Sequence, residues 1–225
     1  MGKKIDKKQL DEPDKLQSLF LRARHFTEMH KTRIYAGTGI LFFILILIGG
    51  WYLYRANYEK SAGKIYSKIF EAAQKVESPD AGQTAIKECK ELIAQYPRSR
   101  AAVLARFRLG SLYFNLNELD AAILAYNDFL NQSPADSDLV ALAYNAIGTS
   151  HEVKKNFKES IEAYDNAIKK DSAKSFEALN CIGIARVYEA MKDPARAVEF
   201  YRKALGKTID PLTTLYLKRK ISILG

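Results

Sequence analysis

Two cysteines, Cys89 and Cys181, stand in a chain of 225 residues. That is too few for a disulfide-stapled scaffold, and the pair lacks metal-ligand spacing. Both read as small buried hydrophobes on well-separated helices, so they say nothing about compartment. Histidine is equally scarce, with only His25, His30 and His151. There is no HExxH, no Gly-rich phosphate loop and no G-x-S-x-G. The expectation is therefore no enzyme, no metal, no cofactor and no small-molecule substrate. The formal charge is +9, yet no dense Lys/Arg stripe follows residue 34. No nucleic-acid motif accompanies that charge, which argues against nucleic acid as the partner. The basic balance fits solubility and attraction to anionic lipid.

One further absence is informative. Residues 35–54, YAGTGILFFILILIGGWYLY, carry no formal charge. At about 1.5 Å per residue this makes a helix of roughly 30 Å, the thickness of a hydrocarbon core. Leu41 to Ile48 are all Leu, Ile or Phe. At roughly −0.5 kcal/mol each they favour a bilayer by roughly 4 kcal/mol. Tyr35 at one edge and Trp51, Tyr52 and Tyr54 at the other form an aromatic belt. No A-x-A cleavage site follows closely, so the segment reads as a retained transmembrane helix.

The 34 residues before it read as a cytoplasmic tail with a basic amphipathic segment. Leu16, Leu19, Phe20, Ala23 and Phe26 recur on one helical face, with Asp14 as the expected N-cap. That helix would rest on headgroups or dock to a membrane partner. Arg22, Arg24, Lys31 and Arg33 favour a cytoplasmic N-terminus.

Residues 55–225 read as repeated helical hairpins. Ala62, Ile65, Tyr66, Ile69, Phe70, Ala73 and Val76 continue a helical period beyond the span, and Ser78 to Gly82 mark a turn. Leu109-Gly110 is followed by Tyr113, then Ala122, Tyr126 and Pro134. Ile147-Gly148 is followed by His151, then Ser160, Tyr164 and Ala167. Ile184-Ala185 is followed by Tyr188, then Ala197, Tyr201 and Ala204, with Asp193 the expected N-cap and Pro194 the first residue of that second helix. This is the tetratricopeptide pattern, with His151 a packed imidazole in an aromatic slot. Small residues let the two helices of a hairpin approach, and aromatics fill the space between hairpins. The expected units are a degenerate repeat at 62–97 and repeats at about 103–134, 141–172 and 178–209. A cap at 211–224 would cover the open end with Leu212, Leu215, Tyr216 and Ile223. The fold class is all-α: one N-terminal transmembrane helix, then a TPR-like α-solenoid with a C-terminal capping helix.

First helices of such hairpins line a concave groove, the expected partner-binding surface. Phe107, Ser111, Phe114, Asn115, Asn145, Thr149, Glu152, Ile182, Arg186 and Glu189 should point into it. Phe107 and Phe114 lie seven apart on one face, as groove hot spots or as core.

The order of parts adds a resemblance. A short N-terminus, a span ending Gly50-Trp51-Tyr52 with Ser61-Ala62 beyond, a degenerate array, and the ending Leu215-Tyr216-Leu217-Lys218-Arg219-Lys220-Ile221-Ser222 resemble the ancillary subunit of the SecYEG translocon. The basic stretch before the span is longer than that family's, and the repeats are closer to the generic pattern. The resemblance implies a single-pass protein of the bacterial inner membrane with its array in the periplasm. It implies translocon subunits, periplasmic chaperones and emerging clients as partners. The alternatives are an anchored receptor for envelope assembly, an import-type receptor facing the cytosol, and a structural subunit of another membrane complex.

Overall fold

The computed structural model describes residues 15–74, 79–132, 138–171 and 174–225. The expected cap Asp14, the turn residue Ser78, Val76 and the exit Pro134 lie outside these. Among the described residues there are ten helices and no strand. They are α1 (Lys15–Met29), α2 (Lys31–Gln74), α3 (Pro79–Gln95), α4 (Arg100–Asn115) and α5 (Leu119–Gln132). Then come α6 (Asp138–Val153), α7 (Phe157–Lys170), α8 (Glu177–Ala190), α9 (Pro194–Leu205) and α10 (Pro211–Leu224). Pro79 to Gly82 do not form the expected turn but open α3. A proline fits there because the first helical N–H groups have no intrahelical acceptor.

The chain divides into two units, Met1–Ala56 and Asn57–Gly225, with the boundary inside α2. In the first unit, α1 exposes Leu19, Phe20 and Phe26, and also Leu21 and Met29. Every residue from Ile40 to Ile48 is exposed as well. Of the described helices, α2 is the one long and apolar enough to cross a membrane.

The second unit is built from hairpins. Ala62 and Ile69 of α2 pack with Cys89 and Leu92 of α3 and Ala105 of α4 in one cluster. Next, α4 pairs with α5, α6 with α7 and α8 with α9, and α10 covers α9. The first helices α4, α6 and α8 touch one another in sequence, while the second helices do not among the described residues. The first helices therefore lie on the inner side of the stack.

Within each hairpin one tyrosine sets the spacing. A Cβ built on Gly110 would lie 2.8 Å from the Tyr126 ring, and one on Gly148 would lie 2.8 Å from the Tyr164 ring. Real Cβ contacts are not that short, so these rings need glycine beneath them. Tyr164 is also gripped from the next hairpin, where a Cβ on Gly183 would fall 2.5 Å from its ring. In the last hairpin Ala185 takes the slot under Tyr201, and both are fully buried.

The turns inside the hairpins share one geometry. Asn117, Lys155 and Lys192 have φ of 62, 61 and 60°. The N–H groups of Glu118, Asn156 and Asp193 donate to the carbonyls of Tyr113, His151 and Tyr188, each at 2.9 Å. This left-handed exit satisfies carbonyls that a helix end leaves open. Asp193 then accepts from the Arg196 N–H at 3.0 Å, with Pro194 beginning α9 as the sequence indicated.

The cap is where the expectation fails. Leu217 is fully buried in α10 and Ile221 and Leu224 pack beside it, whereas Leu212, Leu215, Tyr216 and Ile223 are exposed. The helix carries two apolar faces, and periodicity alone does not say which faces inward.

Gly183→Ala is expected to cost about 1–3 kcal/mol, because the new methyl overlaps a ring held on both sides. Gly206→Ala, at an exposed cap with no contact shorter than 3.6 Å, should change stability little. Denaturant melts of the full chain in detergent check both.

Candidate functional site

The ten predicted binding residues lie on the first helices α4, α6 and α8, and most are already engaged. Phe107 is half-buried, its ring edge-on to Tyr126 at 5.5 Å and to Phe129 at 5.3 Å. Phe114 packs against the same cluster. Both belong to the core between α4 and α5, which corrects the groove reading. The seven-residue spacing gives one face of a helix, but the second helix of the hairpin covers it. Ile182 likewise packs on the α8–α9 core. Asn115 stands exposed near the end of α4.

The polar members form links from one hairpin to the next. Asn145 Nδ2 donates to Asn180 Oδ1 at 2.8 Å. Glu152 receives Arg186 through Nε and Nη2, both at 2.8 Å. The Tyr164 hydroxyl donates to Glu152 Oε2 at 2.6 Å, and Thr149 Oγ1 lies 3.0 Å from that hydroxyl. One repeat later, Tyr201 donates to Glu189, and Lys220 Nζ reaches Glu189 Oε2 at 2.8 Å. A buried phenol, a carboxylate twelve residues before it and a cation from the next helix thus form a unit that occurs twice. Burial, then the bond to Glu152, holds the Tyr164 pKa well above the usual phenol. The bonds to Glu152 raise that of Arg186. Beside this pair a cleft of about 610 Å³ opens toward Phe157 and Lys155.

The repeat before these has Phe114 where Glu152 and Glu189 stand. Its Tyr126 hydroxyl has Ser111 Oγ at 3.1 Å and no carboxylate. Instead the Arg108 guanidinium lies over the Phe70 ring, 5.7 Å from its centroid. Arg108 Nε is buried and has no hydrogen-bond acceptor. Phe70 remains 41% exposed. Sequence reasoning passed over Arg108 and Phe70, although the replacement of the acid by Phe114 was a visible signal. On the other flank of α4, Arg106 is buried and bonds Asp128 at 2.7 Å, leaving its Nη1 without an acceptor. His151 is half-buried, Nδ1 3.5 Å from Asn156 Nδ2. Among the described residues, no group of His, Cys, Asp and Glu could hold a metal ion.

This geometry defines a class: a stacked series of helix pairs held together by packing. Two family models described as tetratricopeptide repeat match it, over residues 70–137 and 179–206. Tetratricopeptide repeats at these positions indicate a scaffold for protein–protein interaction. Among solved structures it is similar to MamA, at 19% identity and TM-score 0.57, over 72% of this chain and 81% of that one. It is also similar to MamA from Desulfovibrio magneticus RS-1 (18%, TM-score 0.53, 65% of this chain and 75% of that one). A chain of the APC/C hetero-tetramer Cut9-Hcn1 matches at 18% and TM-score 0.56, over 71% of this chain and 30% of that one. These likenesses show the fold. No curated protein matches by sequence.

Glu152→Gln should cost about 1–2 kcal/mol, since it removes a partly exposed charge-assisted pair and an acceptor for Tyr164. A double-mutant cycle with Arg186→Met reads the coupling. Burial pushes the Cys89 thiol up to about 11 from 9.0. The unfolded chain then loses this proton first as pH rises, so the contribution is intact below pH 9.0 and declines toward about 11. Cys89 should resist a thiol reagent at neutral pH until denaturant is added. Cys89→Ala should flatten the alkaline fall in stability.

Proposed function

We propose that the chain is a membrane-anchored adaptor that holds polypeptide segments beside the Sec translocon and passes them to periplasmic chaperones. In this reading α2 is the anchor, the N-terminus is cytoplasmic, and the array faces the periplasm of a bacterial inner membrane. Exposed apolar side chains along the run from Ile40 to Ile48 support the anchor, because such a surface is stable only in an apolar medium. The translocon rests on the resemblance in the order of parts, from Gly50-Trp51-Tyr52 to the closing Lys218-Arg219-Lys220.

One observation carries the binding role. At the start of the inner face, Phe70 is 41% exposed beneath a guanidinium whose Nε lacks an acceptor. A buried donor left unpaired costs about 1–3 kcal/mol, so a small outward shift of Arg108 toward a carbonyl or carboxylate of a bound segment would be favoured. The aromatic ring offers that segment an apolar contact. Farther along, Glu152 and Glu189 are already neutralised, so the open half of the groove is the binding half.

A photo-crosslinker at Phe70 in native membranes is expected to recover translocon subunits, and Arg108→Ala should reduce that yield severalfold. Exclusive recovery of a different complex removes the translocon reading. Release of the chain by carbonate, or protection of the array in protease-treated spheroplasts, removes the anchor or its orientation.

A further inference from the structure

Helix α10 stands to α9 as each first helix stands to the hairpin before it. Lys220 holds Glu189 as Arg186 holds Glu152. Aligning those two cations places Leu215 where α8 has Cys181, and Arg219 where α8 has Ala185. Cys181 and Ala185 are buried, packed with Ala197 and Tyr201 of α9. Leu215, by contrast, is 67% exposed. Leu212, Leu215, Tyr216 and Ile223 thus form a stripe on one side, with Arg219 at its centre. A cleft of about 370 Å³ opens beside Arg219, between Tyr216, Ile223 and Leu224, and reaches the Glu189–Lys220 pair, whose charges already offset each other.

Charge decides what can cover this stripe. Helix α10 carries Lys218, Arg219 and Lys220 and no acid. A second copy would set like charges against each other across the interface. A bilayer is disfavoured because Arg219 lies in the middle of the apolar stripe rather than at its margin, so insertion would bury the cation. An opposed helix with a carboxylate at the matching point satisfies both the leucines and the cation. We propose that the outward face of α10 docks an amphipathic helix of another protein, one whose apolar stripe carries a central Asp or Glu. This surface is independent of the groove at Phe70 and Arg108.

The test uses the full chain in phosphatidylglycerol nanodiscs and two labelled synthetic helices. Both peptides share one leucine stripe and differ only in a central Glu or Lys. The Glu peptide is expected to bind about tenfold more tightly than the Lys peptide, the worth of one charge-assisted contact. Arg219→Glu should reverse that preference, and Leu215→Ser with Ile223→Ser should weaken both peptides. Leu217 is untouched, so circular dichroism should show the fold retained. Equal binding of the two peptides, or a preference that Arg219→Glu fails to reverse, overturns the proposal. So does protection of α10 from hydrogen exchange by the nanodisc alone, which would mark a lipid surface. Dimerisation abolished by Leu215→Ser would mark a second copy and overturn it equally.

Discussion

The stack depends on a tyrosine ring lying directly on a glycine. Tyr164 is held between Gly148 of its own hairpin and Gly183 of the next, with no room for a methyl on either side. That contact sets two distances together, the closeness of α6 to α7 and the advance from one hairpin to the following one. Because the ring is pinned, its hydroxyl arrives at a fixed point on the inner face. Glu152 accepts it there, and Arg186 of the next hairpin closes the carboxylate. Packing therefore comes first and the ion pair follows from it. A partly exposed pair of this kind adds modest stability, but it ties adjacent repeats in one register.

The inner face is uneven as a consequence. Where Glu152 and Glu189 stand, the polar groups satisfy each other. Where Phe114 stands, that unit is missing, because the phenyl ring turns into the α4–α5 core. The start of the array keeps Arg108 and Phe70 instead. A single exchange of acid for aromatic at one repeat position thus separates a closed stretch from an open one. Surface available to a partner is what the array has not spent on its own cohesion.

The repeat period, the small slots and the Asp193–Pro194 start were legible because each rests on local geometry. Gly110, Gly148 and Ala185 each mark where a helix must come close, and a 3.6-residue period finds them. Phe107 stayed open between groove and core, because a first helix shows apolar residues toward both its partner and the groove. Nor was the cap at Asp171, whose carboxylate accepts the N–H groups of Ser175 and Phe176 at 3.1 and 2.6 Å. Its role depends on where the chain turns after α7, not on a neighbour in the helical period. The polar residues expected in the groove share the first helices, but their pairing runs 31 to 35 residues away, and helical periodicity does not extend that far.

The same reasoning bears on the outward side of α10. Each hairpin exposes an apolar side that invites another helix. What differs here is the slot that elsewhere holds glycine or alanine. Arg219 occupies it in α10, and a guanidinium there forbids the ring-on-backbone contact made at Gly110 and Gly148. Burying it unpaired would cost more than the leucines beside it could return. The leucines remain exposed beside it. A helix that repels its own kind yet keeps an apolar stripe is not simply a cap. It selects for a neighbour of opposite charge, by the rule that pairs Glu152 with Arg186 inside the array.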